Sequence, residues 1–383
     1  MKEIYLDNAA TTPMSSKVID VITDEMKNDF GNASSTYELG RKARNTIDRA
    51  RHIIASSIGA NDGEIIFTSG GSESNNTAIF GTAYGRQNIG KKIITTPIEH
   101  PSVLNPMKRL EKEGYEIVYL DVDETGHISL DQLKQELTPD TILVSIMAVN
   151  NEVGTIMPLQ EIGDLVKDTN AYFHVDDVQG MGTIDIDVKK MHIDFMSVSA
   201  HKINGPKFLG FLYEKNDISI PNLVLGGEQE VKRRAGTENV PGIAGFSEAV
   251  KEIEEIGHQN IQDKYHHFQE IILNKLDDND VEYDVNGGVG ENMSHHVLNL
   301  HIKGVSTTVL QTNLDLAGFA VSGGSACTAG SLEPSHVLIA CFGADSPRIL
   351  ESIRISFGRY NTEEEVEKFA EELVKIANKR QSK

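Results

Sequence analysis

The chain has 383 residues, with 36 Lys and Arg against 57 Asp and Glu, a formal charge of −21, 39% hydrophobic and 24% charged residues. This is the composition of a soluble globular protein long enough for two domains, and its acidity excludes a general basic surface for nucleic acid, because phosphate binding needs clustered Lys and Arg. The start, MKEIYLDNAATTP, has no basic segment followed by an apolar one, and no stretch approaches the ~20 apolar residues that cross a bilayer, so a cytoplasmic chain without membrane contact is expected. With only Cys327 and Cys341, neither a disulfide framework nor a four-thiolate metal site can form.

Between residues 60 and 215, short apolar runs (EIIFTS, KKIITT, YEIVYLD, TILVSIM, AYFHVDD, DFMSVSA) alternate with stretches of helical spacing at 72–86, 102–113, 129–137 and 159–169. β-branched runs of this length predict buried strands, and the βα alternation predicts an open, mostly parallel sheet covered by helices. Functional groups are then expected in loops at the carboxyl ends of the strands.

The first such loop is TSGGSESNN, residues 68–76, where Gly71 and Ser72 open a helix. Free N–H groups there suit an anion, although a plain Ser-capped turn fits as well. In IEHPSVL, His100 precedes Pro101 at a helix start, as a capping or a site histidine would. MAVNNEVG ends a strand in Asn150 and Asn151, which a simple turn also favours.

FHVDDVQG ends a strand in Asp176 and Asp177, with Gln179 beyond. A carboxylate at that position can hold a pyridine nitrogen protonated; a metal site or a solvated edge is the alternative. SVSAHKING brings Ser199, His201 and Lys202 together after the next strand. A lysine there can be desolvated enough to form a Schiff base, yet Lys207 has nearly the same local surroundings. The basic triplet Lys232-Arg233-Arg234 is a candidate contact for an acidic partner.

Residues 242–278 carry one long polar helical pattern, after which HVLNLHI, SIRISF and TEEEVEKFAEELVKIANKR predict a smaller α+β domain. In SIRISFGR, Ile353, Ile355 and Phe357 alternate with Arg354, Ser356 and Gly358, so one face is apolar and the other offers a guanidinium to a carboxylate or to a surface ion pair. Cys341 lies in SHVLIACFG among apolar residues, as a small buried hydrophobe would. Cys327 lies in SGGSACTAGS, where Gly323, Gly324 and Gly330 leave the backbone free and nothing large surrounds the thiol.

Together, YLDNAATTP, SVSAHKINGPK, RRAGTENV, GSACTAGSLEPSHVL and IRISFGR resemble the cysteine desulfurases, pyridoxal phosphate (PLP) enzymes of aminotransferase class V, over almost the whole chain. The resemblance implies fold type I: a large domain (15–255) with a mostly parallel seven-stranded sheet, and a small α+β domain (1–14 and 256–383) that carries the cysteine loop. It implies that Lys202 holds PLP, with Gly71, Ser72, Ser199 and His201 at its phosphate, Asp176 at the pyridinium nitrogen, His100 stacked on the ring, and Gln179 and Asn151 near the ring oxygen and substrate. Thr237 would reach the phosphate in a second copy of the chain, which implies a homodimer.

On the same resemblance, Arg354 and Asn151 bind L-cysteine, Lys202 moves the α-proton with His100 as a further proton carrier, and Cys327 receives the sulfur as a persulfide. Alanine is the other product. No resident metal is implied, although Cys327 could transiently ligate an iron–sulfur unit. The sulfur acceptor would be an iron–sulfur scaffold or a tRNA-thiolating protein, with no direct nucleic acid contact. A selenocysteine lyase, or a class V enzyme that does not use Cys327, is the alternative, and a non-catalytic PLP-binding scaffold is disfavoured by the intact Lys202, His100, Asp176, Arg354 and Cys327. The chain departs from the family pattern at Ala33, Tyr37, Asp177, Val178 and Glu228, of which Asp177 and Glu228 bear on the charge of the site.

Overall fold

The computed structural model describes residues 3–323 and 334–381. Its strands are β1 (Ile4–Tyr5), β2 (Ile65–Thr68), β3 (Lys92–Thr95), β4 (Glu116–Tyr119), β5 (Thr141–Met147), β6 (Tyr172–Asp176), β7 (Phe195–Ser199), β8 (Gly210–Glu214), β9 (Tyr283–Asn286), β10 (Val297–Ile302), β11 (Phe319–Ala320) and β12 (Ser352–Ser356).

Seven strands form the main sheet in the order β2-β8-β7-β6-β5-β3-β4. β8 alone runs against the direction of the other six strands. The two-residue period of a strand sends alternate side chains to opposite faces. Ile94, Val144, Ile146, Phe173 and Val175 therefore enter one core, which also takes Ile47 and Ile54 from helix Glu38–Ser57. Ile93 and Leu143 enter another core with Ile79, Val103 and Met107 from helices Gly71–Gly85 and Pro101–Lys112. Burial on both faces explains why these strands read as continuous apolar runs.

The second sheet, β12-β10-β9, is antiparallel. Leu298, Leu300, Ile353 and Ile355 pack in its core with Phe268 and Ile272 of helix His258–Asp277 and with Phe369 and Leu373 of helix Glu363–Gln381. The N-terminal segment joins this unit: β1 pairs in parallel with β11, and Leu6 enters the same core.

The helical pattern over 242–278 is two helices, Val240–Ile256 and His258–Asp277. Gly257, at φ +84, breaks them, because glycine alone takes such a conformation without steric cost. The first helix packs Ile243, Phe246 and Val250 in the core of the large sheet, whereas the second serves the small one.

Candidate active site

A cavity of about 290 Å³ lies at the carboxyl ends of the parallel strands and is lined by Gly71, Ser72, His100, Asn151, Asp176, Gln179, Ser199, His201, Lys202 and Arg354. All but Arg354, which comes from the middle of β12 in the small sheet, arrive on a strand end of the main sheet or in the segment after it, as expected for an open α/β sheet. Ala9 and Ala10 of the N-terminal segment complete the wall.

Asp176 closes β6, and its carboxylate is held from two sides. Asn75 Nδ2 donates to Oδ2 at 2.7 Å, and Val178 N donates to Oδ1 at 3.1 Å. Asn75 was not legible as a site residue, although it stands four positions after Gly71 on the same helix and so shares its face. Asp177, one residue on, is 1% exposed, and neither of its carboxyl oxygens has a hydrogen-bond partner among the described residues. Burial first, and then the charge of Asp176, push its carboxyl well above the usual carboxylate range. The solvated edge is therefore corrected: Asp177 is a buried carboxyl whose charged form is disfavoured beside Asp176.

Lys202 follows β7 in the turn Ala200–Lys202, with Nζ donating to Ala9 O at 2.5 Å and Ala10 O at 2.9 Å. Lys207 is exposed and lines a neighbouring hollow, not this cavity, which separates two lysines that local sequence could not. Beside Lys202, His201 Nδ1 lies 3.1 Å from Thr11 Oγ1. Burial, and then Lys202 and Lys207, press the His201 pKa down to about 4, so its ring is neutral at physiological pH.

His100 caps helix Pro101–Lys112: its Nδ1 accepts from Ser102 N at 3.1 Å and lies 2.7 Å from Ser102 Oγ. The capping and site readings of this histidine are thus compatible, because the cap fixes a ring that lines the cavity. At the opposite wall, helix Gly71–Gly85 starts with Gly70 at φ +142. A Cβ added to Gly71 would approach Val178 Cγ2 to 2.6 Å, so only glycine lets the helix start, with its free N–H groups, come this close.

Arg354 is fully buried on β12, not part of a surface ion pair. Its Nη2 donates to Asp7 Oδ1 at 2.8 Å and its Nη1 to Asn151 O at 3.0 Å, while Nε has no partner among the described residues. Gln179 Nε2 donates to Ala9 O at 2.9 Å.

Thr237 lies outside this cavity, in a separate hollow with Phe208, Arg234 and Gly236. Cys327 lies outside the described residues. The chain on either side of it is fastened to the cavity's frame: Ser322 exchanges backbone hydrogen bonds with Arg354, Ser335 Oγ donates to Glu152 Oε2 at 2.5 Å, and His336 Nε2 donates to Glu99 O at 2.9 Å. Glu99 and Glu152, like Asp7, were not singled out in the sequence. Cys341 fits its structural reading, since burial pushes its thiol up to about 12.

The basic triplet is not a free cationic patch. Lys232 pairs with Glu228, Arg233 with Glu214, and Arg234 with Glu73. Glu228 is itself exposed in that pair, so its charge is matched and directed to solvent.

This arrangement of fold and cavity is that of a class V aminotransferase. The chain belongs to that family, whose pattern matches residues 4–369, and within it to the cysteine desulfurase branch. It is 52% identical over 380 residues to the putative cysteine desulfurase IscS 1 of Bacillus subtilis, covering 99% of this chain and all of that one. It is 43% identical to the cysteine desulfurase IscS of Methanosarcina thermophila, over 99% of this chain and 93% of the relative. Among solved structures, a NifS-like protein superposes with a TM-score of 0.90 at 34% identity, covering 98% of this chain and 99% of that one. SspA in complex with cysteine superposes with a TM-score of 0.81 at 35% identity, over 94% and 99% of the two chains.

Proposed function

We propose that this cavity binds PLP on Lys202 and uses it to take the sulfur from L-cysteine, leaving alanine. The observation that carries the reading is one cavity joining a lysine, a strand-end carboxylate and a glycine-opened helix start. The residues fit the group: Gly71 leaves room where a Cβ would collide with Val178, and Asp176 is held as an acceptor by Asn75. Bound there, PLP supplies an electron sink for the carbanion formed when the substrate loses its α-proton.

The chain's own groups do the rest. Asp176, held by Asn75, would face the pyridinium nitrogen, and burial disfavours a second charge on Asp177 beside it. Ser72, Ser199, His201 and the first N–H groups of helix Gly71–Gly85 receive the phosphate. Arg354, held by Asp7, takes the substrate carboxylate, with Asn151 and Gln179 alongside. The Lys202 amine moves the α-proton, and His100, fixed by its cap, is a further proton carrier.

Cys327 receives the sulfur: its thiolate forms the new S–S bond, the C–S bond of the substrate breaks, and protonation of the carbon completes alanine. The fastened segments before and after it support delivery to this cavity. The persulfide then passes to a protein acceptor, an iron–sulfur scaffold or a tRNA-thiolating enzyme, in a cytoplasmic setting; the charge of −21 disfavours direct contact with RNA. L-selenocysteine would meet the same groups, and the resemblance of GSACTAGSLEP to the desulfurase loop favours the cysteine reading.

The test is chemical. The full chain with added PLP should turn yellow, borohydride should trap the cofactor on Lys202, and L-cysteine should yield equal alanine and sulfide when a reductant is present. Cys327→Ser should retain the bound cofactor and lose sulfide release. A chain that fails to take up PLP, or a Cys327→Ser variant that releases sulfide at the original rate, overturns the proposal.

A further inference from the structure

A second cavity, of about 300 Å³, shares Val178, Gln179 and Lys202 with the first and lies where the two sheets' cores meet. Its walls come from the turn after β6, from the helices on either side of Gly257, and from the chain just after β12. The size is at the lower end of the range for small-molecule sites. One side is aliphatic, built from Met181, Ile253, Ile256 and Ile261. The other carries two cations, Lys264 and Arg359, and no Asp or Glu is among the described residues that line it.

The two peripheral cations differ. Arg359 is matched by Glu252, a carboxylate 2% exposed, at 3.0 Å. Lys264 is half-buried, donates to Arg359 O at 2.8 Å, lies 5.3 Å from the centre of the Phe268 ring, and forms no ion pair among the described residues; Glu365 acts on it from outside ion-pair distance as the smallest of the three causes. Burial, and then Arg359, lower the pKa of the Lys264 ammonium. A charge held this way is costly unless an opposite charge joins it.

We propose that the cavity is a binding site for a small aliphatic carboxylate, whose carboxylate meets Lys264 and whose hydrocarbon chain lies along Ile253, Ile256 and Met181. The ligand would bridge elements that Gln262 already ties together through its 2.6 Å bond to Thr183 O, and so would fix the small unit against the large one. Because Lys202 forms a common wall, occupancy would also be sensed at the first cavity. The inference stands apart from the cofactor and reaction assigned above, since it rests on the lining of a different cavity.

Hexanoate titrated calorimetrically into the full chain loaded with PLP is the test. Binding with Kd on the order of 1 mM or tighter is expected for a ligand of that size. Acetate, lacking the chain, and hexylamine, carrying the wrong charge, should each bind at least roughly tenfold more weakly. Lys264→Met should cost a similar factor, and Ile256→Asp, a half-buried position on the aliphatic wall, should do so by repulsion without touching the Lys264 bond. Thermal melts of both variants show that each is folded; if only one is, it alone decides the matter. Absence of hexanoate binding at about 10 mM, equal binding of hexylamine, or unchanged affinity in the folded variants would each overturn the proposal.

Discussion

Glu99 precedes His100 and has no exposed surface. Thr96 Oγ1 and Met147 N both donate to its Oε1, at 2.8 and 3.0 Å, and its Oε2 has no partner among the described residues. Burial, with a further contribution from Asp176, raises its pKa from 4.5 to about 8. The folded state therefore keeps a proton that the unfolded chain gives up near 4.5. The stability tied to this group is complete below that value and is lost as pH rises toward about 8. Glu99→Gln retains the oxygen that accepts both bonds and removes the titration. Urea midpoints at pH 6 and pH 9 should fall less for the variant than for the parent, part of the slope persisting because Asp177 is raised in the same direction. An identical fall in both proteins would show that Glu99 does not carry this proton. Asp7 illustrates another effect at this scale: removing it would leave the fully buried Arg354 guanidinium without its carboxylate, a loss of the kind that costs about 3–5 kcal/mol.

Gly257 governs the relation between two helices that serve different cores. Its φ of +84 and ψ of 136 place it where other residues are strained. An added Cβ would meet only Asn260 Nδ2, at an ordinary 3.7 Å. Gly257→Ala therefore isolates backbone strain from packing and should destabilise the chain by about 2 kcal/mol, read as a shift in urea midpoint; no shift would mean that the break tolerates a different backbone. This break was hidden in the sequence because the pattern on both sides has the same polar helical spacing. What the sequence revealed was local: alternating apolar runs set the strands, and SVSAHKING and FHVDDVQG set their chemical ends. The hidden parts depend on distant partners. Asp7 and Arg354 are 347 positions apart, and the basic triplet loses its free charge to Glu73 and Glu214, which come from other elements. The burial of Asp177, just past the end of β6, is likewise not announced by a pair of adjacent acids.

At the scale of the molecule, the homodimer implied by the resemblance is proposed to use the surface around Thr237. Phe208, Leu225 and Val231 are 82%, 81% and 78% exposed. Residues 222–225 run beside 231–235, since Asn222 Nδ2 donates to Lys232 O and Ala235 N to Val224 O. Glu230, Val231 and Lys232 all have positive φ, a conformation unfavourable above all for β-branched Val231. The strain is held in place by Glu230, which is buried, pairs with both terminal nitrogens of Arg51 at 2.9 Å, and accepts from Phe67 N at 3.0 Å. An anchored carboxylate that forces a valine outward is best explained by a contact that covers the valine, and such strain persists only where the surroundings impose it. Val231→Asp, which leaves the Glu230 anchor intact, should therefore convert a dimer to a monomer in sedimentation equilibrium. On the arrangement the resemblance implies, with Thr237 serving the cofactor phosphate of a second copy, it should also weaken PLP retention. A parent protein that sediments as a monomer while holding PLP firmly would refute the shared-site arrangement, and a variant that stays dimeric would place the interface elsewhere on the surface.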